Sequence, residues 1–305
     1  MVVKWRLLLL SLLPASRFQS RSVEERLVLS ERAGILRRAG WSQSLIATEL
    51  EASKSTVQRW LAGMTPKRVW RHEPDLAPSK DLAYIAGFYL GDGRSAGHEH
   101  KVRFNLADRR QLELVSDLTA RIMGVTPKRC SFDGLFYSVD YDSVVLDDYL
   151  NQPLTKMLKD LKGFELDFLQ GFFDAEGYAS CAVDLRRGLI THMMVGAANT
   201  KLGYLSRVAE ILSEVGIVSR INRTNRAGGT MEIRGKMWTR RHDVYHISLS
   251  GGEMIRRFQG EVGFRNPAKA DRLASLVRMS VMSPRDRFLW FMKGHVRKGR
   301  RWVRA

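Results

Sequence analysis

A chain of 305 residues with 44% apolar content is long enough for two or three small domains with real cores. Its 50 Lys and Arg against 32 Asp and Glu leave a formal charge of +18, which points to a polyanionic partner. No apolar run reaches membrane-spanning length, so no membrane partner is expected. Cys130 and Cys181 lie in no CxxC pattern and have no nearby His, which argues against structural zinc and for reduced thiols.

Residues 1–22, MVVKWRLLLLSLLPASRFQSRS, hold no acid, two early basic residues and a short leucine run, as a signal peptide or presequence does. A secreted nucleic-acid-binding protein makes little physical sense. The expectation is a disordered leader or mis-assigned start and an intracellular, nucleoid-associated protein, or an organellar one if the leader is a genuine presequence.

Residues 23–63 read as three short helices. The first carries Leu27, Ile35 and Leu36 and ends at Gly40. Ser42 can cap a second helix through Leu50, Glu51 and Ala52 make a tight turn, and Ser53 can cap a third helix to about Leu61. Ile46, Ala47, Leu50, Val57 and Trp60 fall on the faces such a unit would bury. The stretch resembles the helix-turn-helix of resolvase-like and phage regulatory proteins. That resemblance places Lys54, Ser55, Thr56, Gln58 and Arg59 on a recognition helix facing the DNA major groove. Glu51 stands where many such motifs carry glycine. Residues 64–79, with Pro66, Pro74 and Pro78, read as a linker whose Lys67, Arg68 and Arg71 can follow a phosphate backbone.

The remainder contains an internal repeat, 80–163 and 164–283. Each half reads as helix, strands, helix, strands, helix. LAYIAGFYLGDG opens the first and FLQGFFDAEG the second, and Asp92 and Glu176, 84 residues apart, close the two apolar segments. Gly87 and Gly91 are four residues apart, as are Gly171 and Ala175, so each helix offers one nearly flat face where another backbone can approach. Parallel packing of these faces would bring Asp92 and Glu176 together at two negative helix ends, an arrangement that calls for a hard divalent cation.

Both motifs, in a repeat of this spacing, resemble the LAGLIDADG homing endonuclease family over roughly residues 80–283. The resemblance implies an α+β fold of two pseudo-symmetric αββαββα repeats preceded by a small all-α helix-turn-helix domain. It also implies a single-chain monomer with internal pseudo-twofold symmetry, whose antiparallel sheets form a saddle on double-stranded DNA. Carried over by position, Asp92 and Glu176 are the Mg²⁺ ligands, with Mn²⁺ able to substitute, of a double-strand endonuclease. Asp174 takes the motif position that the family uses structurally, where the first copy has Leu90. The family's auxiliary basic residues map here onto Lys128 and Lys236 as first candidates. GFRNPAKADRLASL, residues 263–276, resembles the family's closing segment, with Lys269 in a structural or backbone-binding role.

Saddle strands alternate faces, so Arg103 shares a face with Asn105, and Arg220 shares one with Asn222 and Thr224. These are the expected base readers, with the exposed parity left open. Residues 223–243 are expected to form a basic hairpin or loop reaching flanking DNA. The tail, 284–305, carries eight Lys and Arg with Phe288, Trp290, Phe291 and Trp302, and suits either phosphate contact and base stacking or a frayed basic end. Two other functions use the same fold: a non-catalytic DNA-binding regulator, and an RNA maturase acting on a host intron. Met1 and the terminal Arg304-Ala305 lack the nucleophile and asparagine of inteins, so protein splicing is not expected.

Overall fold

The computed structural model describes residues 23–63, 74–95, 100–233, 236–298 and 301–304. The leader 1–22 and the linker residues Lys67, Arg68 and Arg71 lie outside the described residues.

The N-terminal unit is three helices, α1 (Val23–Arg38), α2 (Gln43–Glu49) and α3 (Lys54–Leu61). The Ser42 hydroxyl accepts from Leu45 N at 3.3 Å and that of Ser53 from Thr56 N at 3.2 Å, so each helix start gains a partner for an otherwise unpaired donor. Ala33, Ile46, Leu50, Val57 and Trp60 form a core of their own, with Leu29, Leu36 and Ala47 packed against it. Ile35, apolar though it is, is 47% exposed. The inward stripe of α1 runs through Leu29, Ala33 and Leu36, at steps of four and three, and Ile35 falls off it. Glu51 adopts φ +47°, the left-handed conformation that favours glycine, so its side chain is tolerated there at about 1 kcal/mol.

From Lys80 the chain forms two similar halves. The first is α4 (Lys80–Asp92), β1 (Gly93–Ser95), β2 (Lys101–Leu106), α5 (Arg109–Met123), β3 (Ser131–Phe132), β4 (Tyr137–Asp142), α6 (Val144–Asn151) and a short α7 (Leu154–Asp160). The second is α8 (Glu165–Glu176), β5 (Gly177–Asp184), β6 (Leu189–Asn199), α9 (Leu202–Glu214), β7 (Arg220–Asn225), β8 (Thr230–Ile233), β9 (Lys236–Thr239), β10 (Val244–Ser250), α10 (Gly252–Glu261) and α11 (Pro267–Ser280). The sheets are antiparallel, in orders β1-β2-β4-β3 and β5-β6-β10-β7, so the two halves correspond strand for strand. The β8–β9 hairpin is an addition to the second half, within the basic stretch where a hairpin or loop is expected.

The strand parity that sequence leaves open is settled by burial. On β2, Val102, Phe104 and Leu106 are buried under the helices, while Lys101, Arg103 and Asn105 face outward. On β7, Arg220, Asn222 and Thr224 are exposed and Ile221 packs on the core. The helical faces and inner sheet faces share one apolar core spanning both halves.

The tail is folded rather than frayed. Helix α12 (Pro284–Gly294) leads into a hairpin, β11 (His295–Lys298) with β12 (Arg301–Arg304). Phe291 is buried, stacks on His295 at 4.0 Å between ring centres and meets Trp302 edge-on at 5.5 Å. Phe288 and Trp290 also pack on the core, so the aromatics that could have stacked on bases instead anchor the tail. Both cysteines are free thiols, and no helix among the described residues is long and apolar enough to cross a membrane.

Candidate active site

The site is built by two helices that meet through their backbones. A Cβ placed on Gly87 would lie 1.9 Å from the Phe168 carbonyl oxygen, and one on Gly171 would lie 2.0 Å from that of Tyr84. Each of these residues has its counterpart 84 positions away, so the contact is reciprocal, as a pseudo-twofold axis requires. One turn on, a Cβ on Gly91 would meet Ala175 Cβ at 2.6 Å and Glu176 Cγ at 2.7 Å. Residue numbers rise together along the contact, so α4 and α8 run parallel and both C-terminal ends reach the same place. Any side chain larger than hydrogen at Gly87 or Gly171 would force the helices apart.

Asp92 and Glu176 are the last residues of these helices. Burial first, and then the neighbouring Asp92 charge, push the Glu176 carboxyl up to about 7, against the pull of Asn199 and Lys269. Asp92 is open to solvent on its outer side while protein packs round the rest. Burial on that inner side raises its pKa to about 6, against the pull of the Lys269 charge. Two carboxylates, crowded together at two negative helix ends, hold protons that ordinary carboxylates would release. This donor set fits a hard divalent cation, whose charge removes the conflict. Among the described residues no third Asp, Glu, His or Cys completes a protein-only cage. That suits an ion of the Mg²⁺ kind, which keeps water or phosphate oxygens in its shell.

Asp174 has a different task. It is 2% exposed and accepts from Tyr84 Oη at 2.6 Å, from Arg265 N at 2.9 Å and from Asn266 N at 3.2 Å. It therefore joins the first motif helix, the second motif helix and the start of α11. From α11, Lys269 Nζ donates to the carbonyls of Phe173 (3.3 Å), Asp174 (2.5 Å) and Ala175 (3.2 Å), the last turn of α8. Burial lowers the Lys269 pKa, while Asp174, Asp92 and Glu176 oppose the fall.

Residues 163–263 match the family model described as a LAGLIDADG-like domain. That match covers about a third of the chain, over most of its second half. The chain is 28% identical over 256 residues to an uncharacterized protein of Methanocaldococcus jannaschii, covering 79% of this chain and 90% of that one. It is 23% identical over 225 residues to the replication factor C small subunit of Thermococcus kodakarensis, covering 68% of this chain but only 22% of that protein. Among solved structures, the homing endonuclease I-DmoI in complex with DNA and Ca superposes with TM-score 0.44 and 17% identity, covering 66% of this chain and 98% of that one. The N-terminal LAGLIDADG domain of DUF199/WhiA gives TM-score 0.39 and 13% identity, covering 66% and 92%.

Within the matched region, Glu176 has a partner that sequence reasoning missed. Asn199 Nδ2 donates to Glu176 Oε1 at 3.0 Å. Asn199 ends β6 on the same parity as buried Val195 and Ala197, and a polar residue in that row is the signal that could have found it. Lys128 Nζ pairs with Asp142 at 3.1 Å and lies over the Tyr141 ring, so it is engaged away from the carboxylates. Lys236 begins β9 in the added hairpin, and its side chain lies outside the described residues. The lysine whose field reaches both Asp92 and Glu176 is Lys269.

The expected DNA readers take different places. Lys54, Ser55, Gln58 and Arg59 lie exposed on α3, and Thr56 is half-buried beside its cap. On the outer face of the first sheet, Arg103 grips Asp140 with two hydrogen bonds, at 2.7 and 2.5 Å. In the amide orientation that satisfies both its ends, Asn105 accepts from Arg94 Nη2 at 2.8 Å. These residues line an open polar concavity of about 530 Å³, together with Lys128, Arg129 and Ser138. Arg94 and Arg129 were missed because β1 and the β3 approach are too short to show a period. In the second half Arg220, Asn222 and Thr224 are exposed, and Thr224 Oγ1 donates to Val244 O at 3.2 Å.

Proposed function

We propose that the protein is a divalent-metal-dependent, site-specific double-strand DNA endonuclease. The observation that carries this reading is the convergence of Asp92 and Glu176 at the ends of two helices locked together through Gly87 and Gly171. Asp92 and Glu176 would hold Mg²⁺ or Mn²⁺. The bound ion would supply Lewis-acid polarisation of the scissile phosphate and stabilise charge on the leaving oxygen. The protein's own share is positional: Asn199 fixes the Glu176 carboxylate, and Asp174 and Lys269 fix the helix end that carries it. One carboxylate from each half, related by the pseudo-twofold, suits a duplex whose two strands are related by a similar axis.

The outer sheet faces would lie on the DNA. Their matched rows differ, which supports a target whose two halves are unlike. Arg94, Arg103 and Asp140 stand side by side in the first sheet, where the second has Tyr178, Gly196 and Ser248. Arginine suits guanine in the major groove, whereas the neutral row offers no such donor fork. The N-terminal unit, through Lys54, Ser55, Gln58 and Arg59, would extend the footprint.

Asp92→Asn and Glu176→Gln should each reduce cleavage about a thousandfold or more while leaving sequence-specific binding within severalfold. The measurement is cutting and gel-shift of duplexes selected from a randomised pool in Mg²⁺. Specific binding by wild type with no cleavage of any selected duplex would replace this reading with that of a DNA-binding regulator.

A further inference from the structure

Asp92 and Glu176 meet where α4 and α8 end, the last carbonyls of α8 add partial negative charge, and the Asp174 carboxylate, engaged by Tyr84, Arg265 N and Asn266 N, also acts on Lys269. Lys269 stands against them. An ammonium has three hydrogens and accepts nothing. Lys269 gives all three to Phe173 O, Asp174 O and Ala175 O, so none remains to orient a water or pair with a carboxylate. What it still delivers is a fixed positive charge. Its position is set twice over: the Asp174 carboxylate holds Arg265 N and Asn266 N, and Asn266 Oδ1 accepts from Lys269 N at 3.1 Å. The side chain that pins the start of α11 thus comes from the helix end that Lys269 serves.

We propose that Lys269 is a resident counter-charge for the Asp92–Glu176 pair, a positioning residue that holds the end of α8 and stands in for metal charge when no ion is bound. The inference rests on the divalent-metal reading above. It carries a consequence opposite to that of a purely structural lysine. A fixed cation beside the carboxylates repels an incoming divalent ion, so removing it tightens metal binding, whereas loosening a merely structural clamp weakens it.

The test uses the full-length protein at pH 8, with Ca²⁺ or Mn²⁺ titrated calorimetrically and melting followed in EDTA. Lys269→Met should lower the metal-free melting temperature and tighten Ca²⁺ binding by about tenfold or more. Lys269→Arg should restore both towards wild type. Glu176→Gln combined with Lys269→Met should recover part of the lost melting temperature, because one carboxylate fewer then lacks its counter-charge. Metal binding that weakens or stays unchanged in Lys269→Met would overturn the proposal. So would melting losses that simply add in the double variant. If Lys269→Met alone fails to fold, recovery of folding by Glu176→Gln supports the counter-charge, and failure to recover overturns it. None of these readouts uses DNA cleavage, so they stand or fall apart from nuclease activity.

Discussion

Two aspartates at the ends of neighbouring helices, Asp174 on α8 and Asp92 on α4, show how much the surroundings decide what a carboxylate does. Asp174 is enclosed by donors, two of them backbone N–H groups, and serves as a joint. Asp92 and Glu176 have each other and too few donors, which is why their pKa values rise. A carboxyl whose pKa is raised on folding binds more protons in the native than in the unfolded state between its two pKa values. Unfolding free energy therefore falls as pH rises through that window. For Glu176 the window runs from the ordinary 4.5 to about 7. In EDTA the melting temperature should accordingly be higher near pH 5.5 than near pH 8. Saturating Mg²⁺ should recover the loss at pH 8, and Glu176→Gln should flatten the slope. A metal-free melting profile that is flat, or that rises towards pH 8, in wild type would contradict this.

At the scale of the element, the α4–α8 pair sets the geometry of everything above it. Replacing Gly171 by alanine gains about 1 kcal/mol of helix propensity. The new methyl would stand 2.0 Å from the Tyr84 carbonyl oxygen, a backbone atom that cannot swing aside. Overpacking against backbone outweighs propensity, so Gly171→Ala should destabilise by about 3 kcal/mol or more and reduce metal binding by separating the carboxylates. Denaturant midpoints and calcium calorimetry would measure the two effects. The same substitution at Gly203, where an added Cβ meets nothing within 4 Å, is the control.

The whole molecule divides into a small helical unit with its own core and a larger body whose two halves share one. Removing residues 1–73 should leave the body's melting transition and cleavage positions in place. It should weaken specific binding about tenfold or more and make it less steeply dependent on salt, since phosphate contacts by Lys54 and Arg59 are lost. Gel-shift titrations at two salt concentrations would show it. Much of this organisation was legible in the sequence because it is local or repeated. Ser42 and Ser53 announce helix starts within three residues, and the 84-residue offset pairs Gly87 with Gly171 and Asp92 with Glu176. What escaped is long-range. Asn199 meets Glu176 and Lys269 meets the end of α8 only after a sheet and a closing helix have folded back, and no periodicity encodes such meetings. Lys128 misled because a lysine near a strand looks alike whichever way the strand turns. The tail misled for the reverse reason: its charge is conspicuous in the sequence, while the burial of Phe291 depends on the sheet beneath it.

The backbone contact between α4 and α8 also works as a ruler. The separation of the two acidic ends is set by main-chain atoms at Gly87 and Gly171 and, one turn on, by the small methyl of Ala175 against Gly91, not by any large side chain. Substitutions across the outer sheet faces leave that dimension untouched. For the endonuclease proposed above, exchanging Arg94, Arg103, Asn105 or Asn222 should therefore change the selected target while the spacing of the two carboxylates stays constant.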